Sequence, residues 1–177
     1  MKFLVIILIF FNFLVFNNEN IIQWSENYKL RFCDFTQVAP LNSDSLGMSR
    51  TGVKYSIDLL DDTLVFESTA FFDKNKSWIK QRDSSTLNHE QMHFNLTEVY
   101  SRKLKERVQF SIKTNLKPEA IEAQIDSIFK LNQLELWKEQ DLYDNIVKIA
   151  FNEEGQVFWN HKIDSSLTVS RAFAGKK

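Results

Sequence analysis

The chain has 177 residues, of which 22 are basic and 23 are acidic, and 44% are hydrophobic. The near-balanced charge lacks the basic excess of a nucleic-acid-binding surface, so nucleic acid is excluded as an expected partner. The length is sufficient for one domain with its own hydrophobic core. Cys33 is the only cysteine in the sequence and cannot form an internal disulfide, so that core must stabilise the domain.

Residues 1–18 have the composition of a secretory signal peptide. Lys2 supplies a positive charge, and the following run to Phe16 is apolar apart from Asn12. This run is shorter than the 18 or more residues expected of a membrane-spanning helix. No small-residue cleavage site follows it, so an uncleaved anchor is the alternative. We expect export to the periplasm or the extracellular space, with any membrane contact confined to this segment.

Strand patterns occupy the first half of the remaining chain. The clearest strand, from Val53 to Leu59, alternates apolar and polar residues. Asp61 and Asp62 predict a turn after it, so we expect an antiparallel hairpin with the apolar run at 64–72. The other expected elements are short strands at 21–24 and 30–32, a polar loop at 40–47, and a strand or helix lead-in at 77–79.

The second half of the chain has helical periodicity. Apolar residues recur at three- and four-residue steps after Ser85 and Thr86, either of which can cap a helix. Pro118 suits the first turn of another helix. The predicted helices cover 86–112, 118–147 and 153–167. We therefore expect an α+β fold with a small N-terminal antiparallel sheet, two long helices and a short C-terminal helix.

The first predicted helix carries the motif H-E-x-x-H at residues 89–93. Residues four apart lie on one face of a helix, so His89 and His93 can bind a single zinc ion. Glu90 lies about a quarter-turn away, where a general base can take a proton from a water molecule at the metal. A hydrogen-bonded pair of core histidines is the alternative interpretation.

The motif lies in a longer run, residues 87–104, that resembles the signature H-E-Q-x-H-F-D-I-T-E-x-Y-A-R-K-L of a bacterial family catalogued as domain of unknown function 922. Residues 22–25, 30–35 and 76–80 are similar to the family's I-x-W-x, L-x-W-x-D-F and K-S-W-V-K segments. Members are regarded as exported, zincin-like zinc metallopeptidases whose substrates are not established as a class. The resemblance implies one zincin-like domain over residues 19–177, acting on a peptide or protein substrate.

The chain departs from the family near the C-terminus, where the family pattern is Y-D-x-x-T-x-H-G. The family's threonine falls on Val147 and its histidine on Ile149. A zinc peptidase keeps three protein ligands, so the third ligand must be found elsewhere. Asp144, retained from the family's Tyr-Asp pair, is one candidate. His161 is the other, although a surface histidine is its simpler interpretation.

Two other residues near the motif and the tail carry groups that a metal site could use. Glu98 lies nine residues after His89, about half a turn beyond two full turns, and therefore points away from the metal face. Tyr143 can donate a hydrogen bond to the oxyanion of a tetrahedral intermediate. An amphipathic core residue is the alternative interpretation of this tyrosine.

These features support two hypotheses from different classes. The first is an exported zinc metallopeptidase with Glu90 as general base, which the intact motif favours. The second is a catalytically silent zincin-like relative that acts as an envelope or extracellular binding module. The substitutions at Val147 and Ile149 favour this second hypothesis.

Overall fold

The computed structural model describes residues 19–60, 63–113, 117–148 and 152–175. The predicted signal segment, the Asp61-Asp62 turn and Ile149 lie outside these residues. The described chain has the predicted α+β fold, with the strands preceding the helices. The strands are β1 (Ile21–Gln23), β2 (Gly47–Met48), β3 (Thr51–Leu60), β4 (Thr63–Asp73) and β5 (Trp78–Ile79), and the helices are α1 (Ser84–Ser111), α2 (Pro118–Lys148) and α3 (Glu153–Val169).

The main sheet has three antiparallel strands in the order β1-β4-β3. The predicted hairpin is confirmed, because β3 and β4 pair along their length with Val53 opposite Ala70. Strand β1 pairs with the other edge of β4, with Ile22 opposite Phe72. A second, two-stranded sheet joins β2 to β5, so the 77–79 segment forms a strand.

The main core lies where the sheet meets the three helices. Leu104 and Val108 of α1 are fully buried, and burying a side chain of this kind stabilises the fold by about 1.5–3 kcal/mol. They share this core with buried residues of the other elements, which are Val53, Phe66, Ile121, Ile125, Leu136, Trp159 and Ile163. Helix α1 therefore passes through the centre of the domain. Within the described residues, no helix combines the length and apolar character that crossing a membrane requires.

Two local predictions were wrong. The 30–32 segment is not a strand, because the Asp34 carboxylate accepts hydrogen bonds from the Arg31 N–H and the Tyr28 hydroxyl and bends the chain into a short 3₁₀ turn. The cap of α1 is neither Ser85 nor Thr86 but Asp83, whose carboxylate accepts from the backbone N–H of Thr86 at 2.7 Å. The predicted polar loop is confirmed up to residue 46, and β2, which was not predicted, begins at the last residue of that loop, Gly47, and pairs with β5.

Candidate metal centre

Helices α1 and α2 run antiparallel and bring three metal-ligating side chains together. His89 and His93 lie one turn apart on α1, and Asp144 lies opposite them on α2. Each histidine Nε2 is 3.0 Å from the Asp144 Oδ1, and the two Nε2 atoms are 3.2 Å apart. Among the described residues, these three form a cluster of side chains with the spacing to hold a metal ion.

The three separations fit zinc. A tetrahedral zinc ion with bonds of about 2.0–2.1 Å keeps its ligand atoms about 3.3 Å apart. The observed separations of 3.0–3.2 Å are within a few tenths of an ångström of that value. Two imidazoles and one carboxylate are also ligands that zinc accepts, and such a set leaves a fourth position for water.

Hydrogen bonding within the cluster does not account for all three contacts. Each neutral imidazole Nε2 either donates one proton or accepts one. If both rings donate to Asp144, two N–H groups face each other across the contact between His89 and His93. If one ring donates to the other, one contact with the carboxylate has no proton. A bound cation accounts for all three contacts at once.

The Glu90 carboxyl group has two properties expected of a group that contacts a ligand. Its side chain is 2% exposed, and its Oε2 has no hydrogen-bond partner within the described parts of the chain. Buried polar atoms are nearly always hydrogen-bonded, so such an exception calls for an explanation. A water molecule or substrate in the adjoining cavity would supply the missing partner.

The backbone of β2 packs directly against the Glu90 carboxyl group. A Cβ added at Gly47 would lie 2.6 Å from the Glu90 Oε1, so only glycine leaves room for this carboxylate. Ser49 donates from its hydroxyl to the backbone carbonyl of Glu90 at 3.3 Å. The short strand β2 therefore fixes the position of the carboxylate from one side.

A cavity of about 150 Å³ opens beside the cluster. It joins the metal-ligating side chains to Glu90, with α1 and α2 on one side and β2 on the other. Its described lining contains no lysine or arginine. The lining residues are Ser45, Gly47, Met48, Ser49, His89, Glu90, His93, Gln140 and Asp144.

Tyr143 is in contact with the cluster but does not line this cavity. Its ring is fully buried and stacks on His89 with centroids 4.7 Å apart and planes 17° apart. Its hydroxyl accepts a hydrogen bond from the Gln156 amide at 2.8 Å and lies 3.3 Å from the His89 carbonyl oxygen. Burial raises the pKa of this phenol. The geometry therefore favours positioning of the His89 ring over the predicted contact with an oxyanion.

His161 does not join the metal-ligating cluster formed by the described residues. It lies exposed on α3, two residues after the buried Trp159 and two before the buried Ile163. Two residues correspond to about 200° around a helix, so His161 is on the opposite face from the core. Of the two candidates for the third ligand, the structure brings only Asp144 to the histidines.

Sequence reasoning missed a polar layer one helical turn beyond the cluster. Thr97 follows His93 by four residues on α1, and Gln140 precedes Asp144 by four residues on α2. The Gln140 Nε2 donates to the Thr97 Oγ1 at 3.1 Å, and Thr51 at the start of β3 contacts the same oxygen at 2.8 Å. The four-residue spacing from each ligand could have identified this layer.

Comparison with known proteins gives no match to a family model, a curated protein or a solved structure. The resemblance to the bacterial family described above therefore stays a prediction.

Proposed function

We propose that the protein is an exported, zinc-dependent, metallopeptidase-like hydrolase. His89, His93 and Asp144 hold the zinc ion, and Glu90 is the general base for hydrolysis of a peptide bond. The observation that carries the proposal is the combination of three ligand atoms 3.0–3.2 Å apart and a buried carboxylate oxygen without a partner among the described residues.

The division of labour follows from the chemistry of these groups. Zinc, when bound, lowers the pKa of a coordinated water toward neutrality and polarises a substrate carbonyl. Glu90 is outside the cluster of ligating atoms but lines the same cavity, so it can take the proton from the attacking water and pass it to the leaving amine. Tyr143 stacks on His89 and holds that ring in its ligating orientation.

Export and the zincin-like family are proposed on separate grounds. The composition of residues 1–18 supports export, and the run around the motif supports the family. Neither of these two proposals depends on the geometry of the cluster, and either can be wrong while the proposal of a metal site stands.

One observation favours the silent relative as a second candidate. The side chains of His89 and His93 are only 14% and 10% exposed, and the cavity beside them is small. A substrate carbonyl must therefore enter a narrow site or the site must widen. A binding module that has kept the metal but not the turnover is also compatible with this access.

The test is zinc content and peptidase activity measured together. Purified protein at neutral pH without chelator should contain about one zinc per chain, and His93→Ala should lose it. A broad peptide library supplied with zinc should be cleaved by the wild type and not by Glu90→Gln. Absence of stoichiometric zinc contradicts the metal site, whereas bound zinc with no cleavage by the wild type identifies the silent relative.

A further inference from the structure

We infer that Gln140 is a substrate-binding residue, whose side-chain carbonyl accepts a hydrogen bond from a backbone N–H of the peptide. The inference rests on the proposed function and adds to it the group that recognises the substrate main chain. Gln140 lines the cavity one helical turn from the ligand Asp144. A peptide whose carbonyl reaches the metal therefore passes close to this side chain.

The orientation of the Gln140 amide follows from counting the protons on Thr97. The Thr97 hydroxyl has one proton and donates it to the His93 carbonyl oxygen at 2.8 Å. Its oxygen can then only accept from its other two neighbours, the hydroxyl of Thr51 and the amide of Gln140. The NH₂ group of Gln140 must therefore face Thr97, and its Oε1 must face away from it.

This network makes the Gln140 carbonyl a fixed acceptor. Thr97 is fully buried, and its one donor and two acceptor positions are all used. Water therefore cannot replace the Gln140 amide as a hydrogen-bond donor to Thr97. The Gln140 side chain makes no second hydrogen bond to the chain within the described ranges. Its Oε1 is therefore available to a ligand without first breaking a bond.

The other cavity groups specify what kind of ligand fits. Glu90 and Asp144 add carboxylate oxygens, and none of the described lining residues is a lysine or arginine. Away from the bound zinc, whose positive charge the two carboxylates offset, such a lining offers hydrogen-bond acceptors and has no cationic side chain to pair with a free carboxylate. The backbone N–H of an internal peptide segment matches these acceptors, whereas a C-terminal carboxylate does not.

The experiment measures peptide binding to zinc-loaded Glu90→Gln protein, which retains the site but does not turn over the peptide. The probe is acetyl-Ala-Ser-Ala-Leu-Ala-Ser-amide, together with analogues methylated at one backbone nitrogen each. Gln140→Met keeps the length of the side chain and removes its hydrogen bonding. Gln124→Met is the matched control, because Gln124 is exposed on the same helix.

Gln140→Met should bind the parent peptide about three- to tenfold more weakly, the usual effect of one lost hydrogen bond, with zinc content unchanged. In the Glu90→Gln protein that retains Gln140, methylation of one particular backbone nitrogen of the peptide should weaken binding by a similar factor. Gln140→Met should not discriminate against that analogue, and this non-additivity identifies the pair of atoms. Gln124→Met should behave like its parent.

Three results overturn the inference. They are unchanged affinity in Gln140→Met, loss of zinc in that variant, and no binding of the peptide to zinc-loaded Glu90→Gln protein at millimolar concentration. The first leaves the proposed function intact, because it removes only the role of Gln140. A Glu90→Gln protein that never binds zinc removes the proposed function itself, so the two failures can be distinguished.

Discussion

Helix α1 carries buried or half-buried polar residues on two opposite faces, and the two faces differ in how the hydrogen bonds of these residues are satisfied. One face, called here the site face, consists of His89, Glu90 and His93. The other, called here the closed face, consists of Gln91, Asn95, Glu98 and Arg102. At about 100° per residue the centres of these two sets lie nearly half a turn apart.

On the closed face, donors and acceptors match within the chain. Gln91 accepts from the Leu30 N–H at 2.7 Å and donates to Asn95, which also accepts from the Trp24 indole at 3.0 Å. Arg102 donates to the Glu98 carboxylate at 2.8 Å and lies over the Trp24 ring. These bonds attach the N-terminal segment to α1.

On the site face, the polar groups of the same helix are not all paired within the described chain. Two imidazoles and a carboxylate converge on one point, and the Glu90 Oε2 has no partner in the described chain. Burial alone therefore does not distinguish a functional polar residue from a structural one. On α1, the two faces are distinguished by whether the hydrogen bonds of these residues are already made within the described chain.

The largest expected effect comes from the same substitution on each face. Glu90→Gln should lower peptidase activity by about 10²–10⁴-fold, because the amide cannot accept the proton, while zinc content stays nearly unchanged. Glu98→Gln should retain activity within about twofold and retain its zinc, because Glu98 bonds to Arg102 and not to the site. The measurement is turnover and zinc content of both variants. Equal loss in both would remove the functional difference between the faces.

Arg102→Met should disrupt the hydrogen bonds of the closed face and destabilise the fold. It leaves the Glu98 carboxylate buried without its cation and removes the bond to the Leu167 carbonyl. Removing one partner of a buried ion pair costs about 3–5 kcal/mol, which urea denaturation would measure as a lower free energy of unfolding. Lys130→Met is the control, because its pair with Asp126 is exposed to solvent and should contribute little to stability. Equal effects in the two variants would contradict the structural role of the closed face.

Zinc should stabilise the site face in a way that depends on Asp144. Free zinc at about 100 times its dissociation constant should raise the free energy of unfolding by about 2.7 kcal/mol. Asp144→Asn should need more zinc for the same increase, because an amide oxygen is a weaker zinc ligand than a carboxylate. His161→Asn is the control and should bind zinc like the wild type, since its side chain is exposed on α3. A larger loss in His161→Asn than in Asp144→Asn would reverse the assignment of the third ligand.

The sequence was sufficient for the parts of the fold and site that depend on spacing along a single helix. The positions of His89 and His93 follow from a four-residue step, and Asp144 was one of two candidates on the helices that follow. The hairpin was predicted because alternation is a local pattern. His161 could have been rejected from the sequence too, since it is out of phase with Trp159 and Ile163.

The parts that were missed depend on contacts between distant segments. Strand β2 has two residues, too few for a pattern, and it forms only because Gly47 pairs with Ile79 of β5. Its approach to Glu90 is a tertiary contact across more than 40 residues of chain. Tyr143 had two interpretations, an oxyanion contact and a core residue, and its burial agrees with the second; the depth of its ring behind His89 depends on how α3 covers α2.

Gly47→Ala should have a smaller effect on the site, through the position of Glu90. The added methyl group would lie 2.6 Å from the Glu90 Oε1 and must displace the carboxylate. We expect about a tenfold fall in kcat, because a misplaced base transfers the proton less efficiently, with zinc content unchanged. Gly175→Ala is the matched control, because its nearest atom would be at an ordinary 3.5 Å. Full activity in Gly47→Ala would show that β2 does not position the base.

The smallest expected effect is a pH dependence that belongs to the closed face alone. Burial raises the pKa of the Glu98 carboxyl above its usual range, although the adjacent Arg102 acts in the opposite direction. Between the usual pKa and the raised one, the folded protein holds a proton that the unfolded chain has lost. The free energy of unfolding should therefore fall as pH rises through that interval, by about 1.4 kcal/mol for each unit of difference.

Glu98→Gln does not titrate, so its stability relative to the wild type should increase as pH rises through the same interval and stay constant above it. Urea denaturation of both proteins across acidic pH measures this difference. Glu67→Gln is the control, because the Glu67 carboxylate is partly exposed and pairs with Lys105 at the surface of the sheet. If the difference in free energy of unfolding between Glu98→Gln and the wild type is the same at every pH, burial on the closed face does not disfavour the charged form of Glu98.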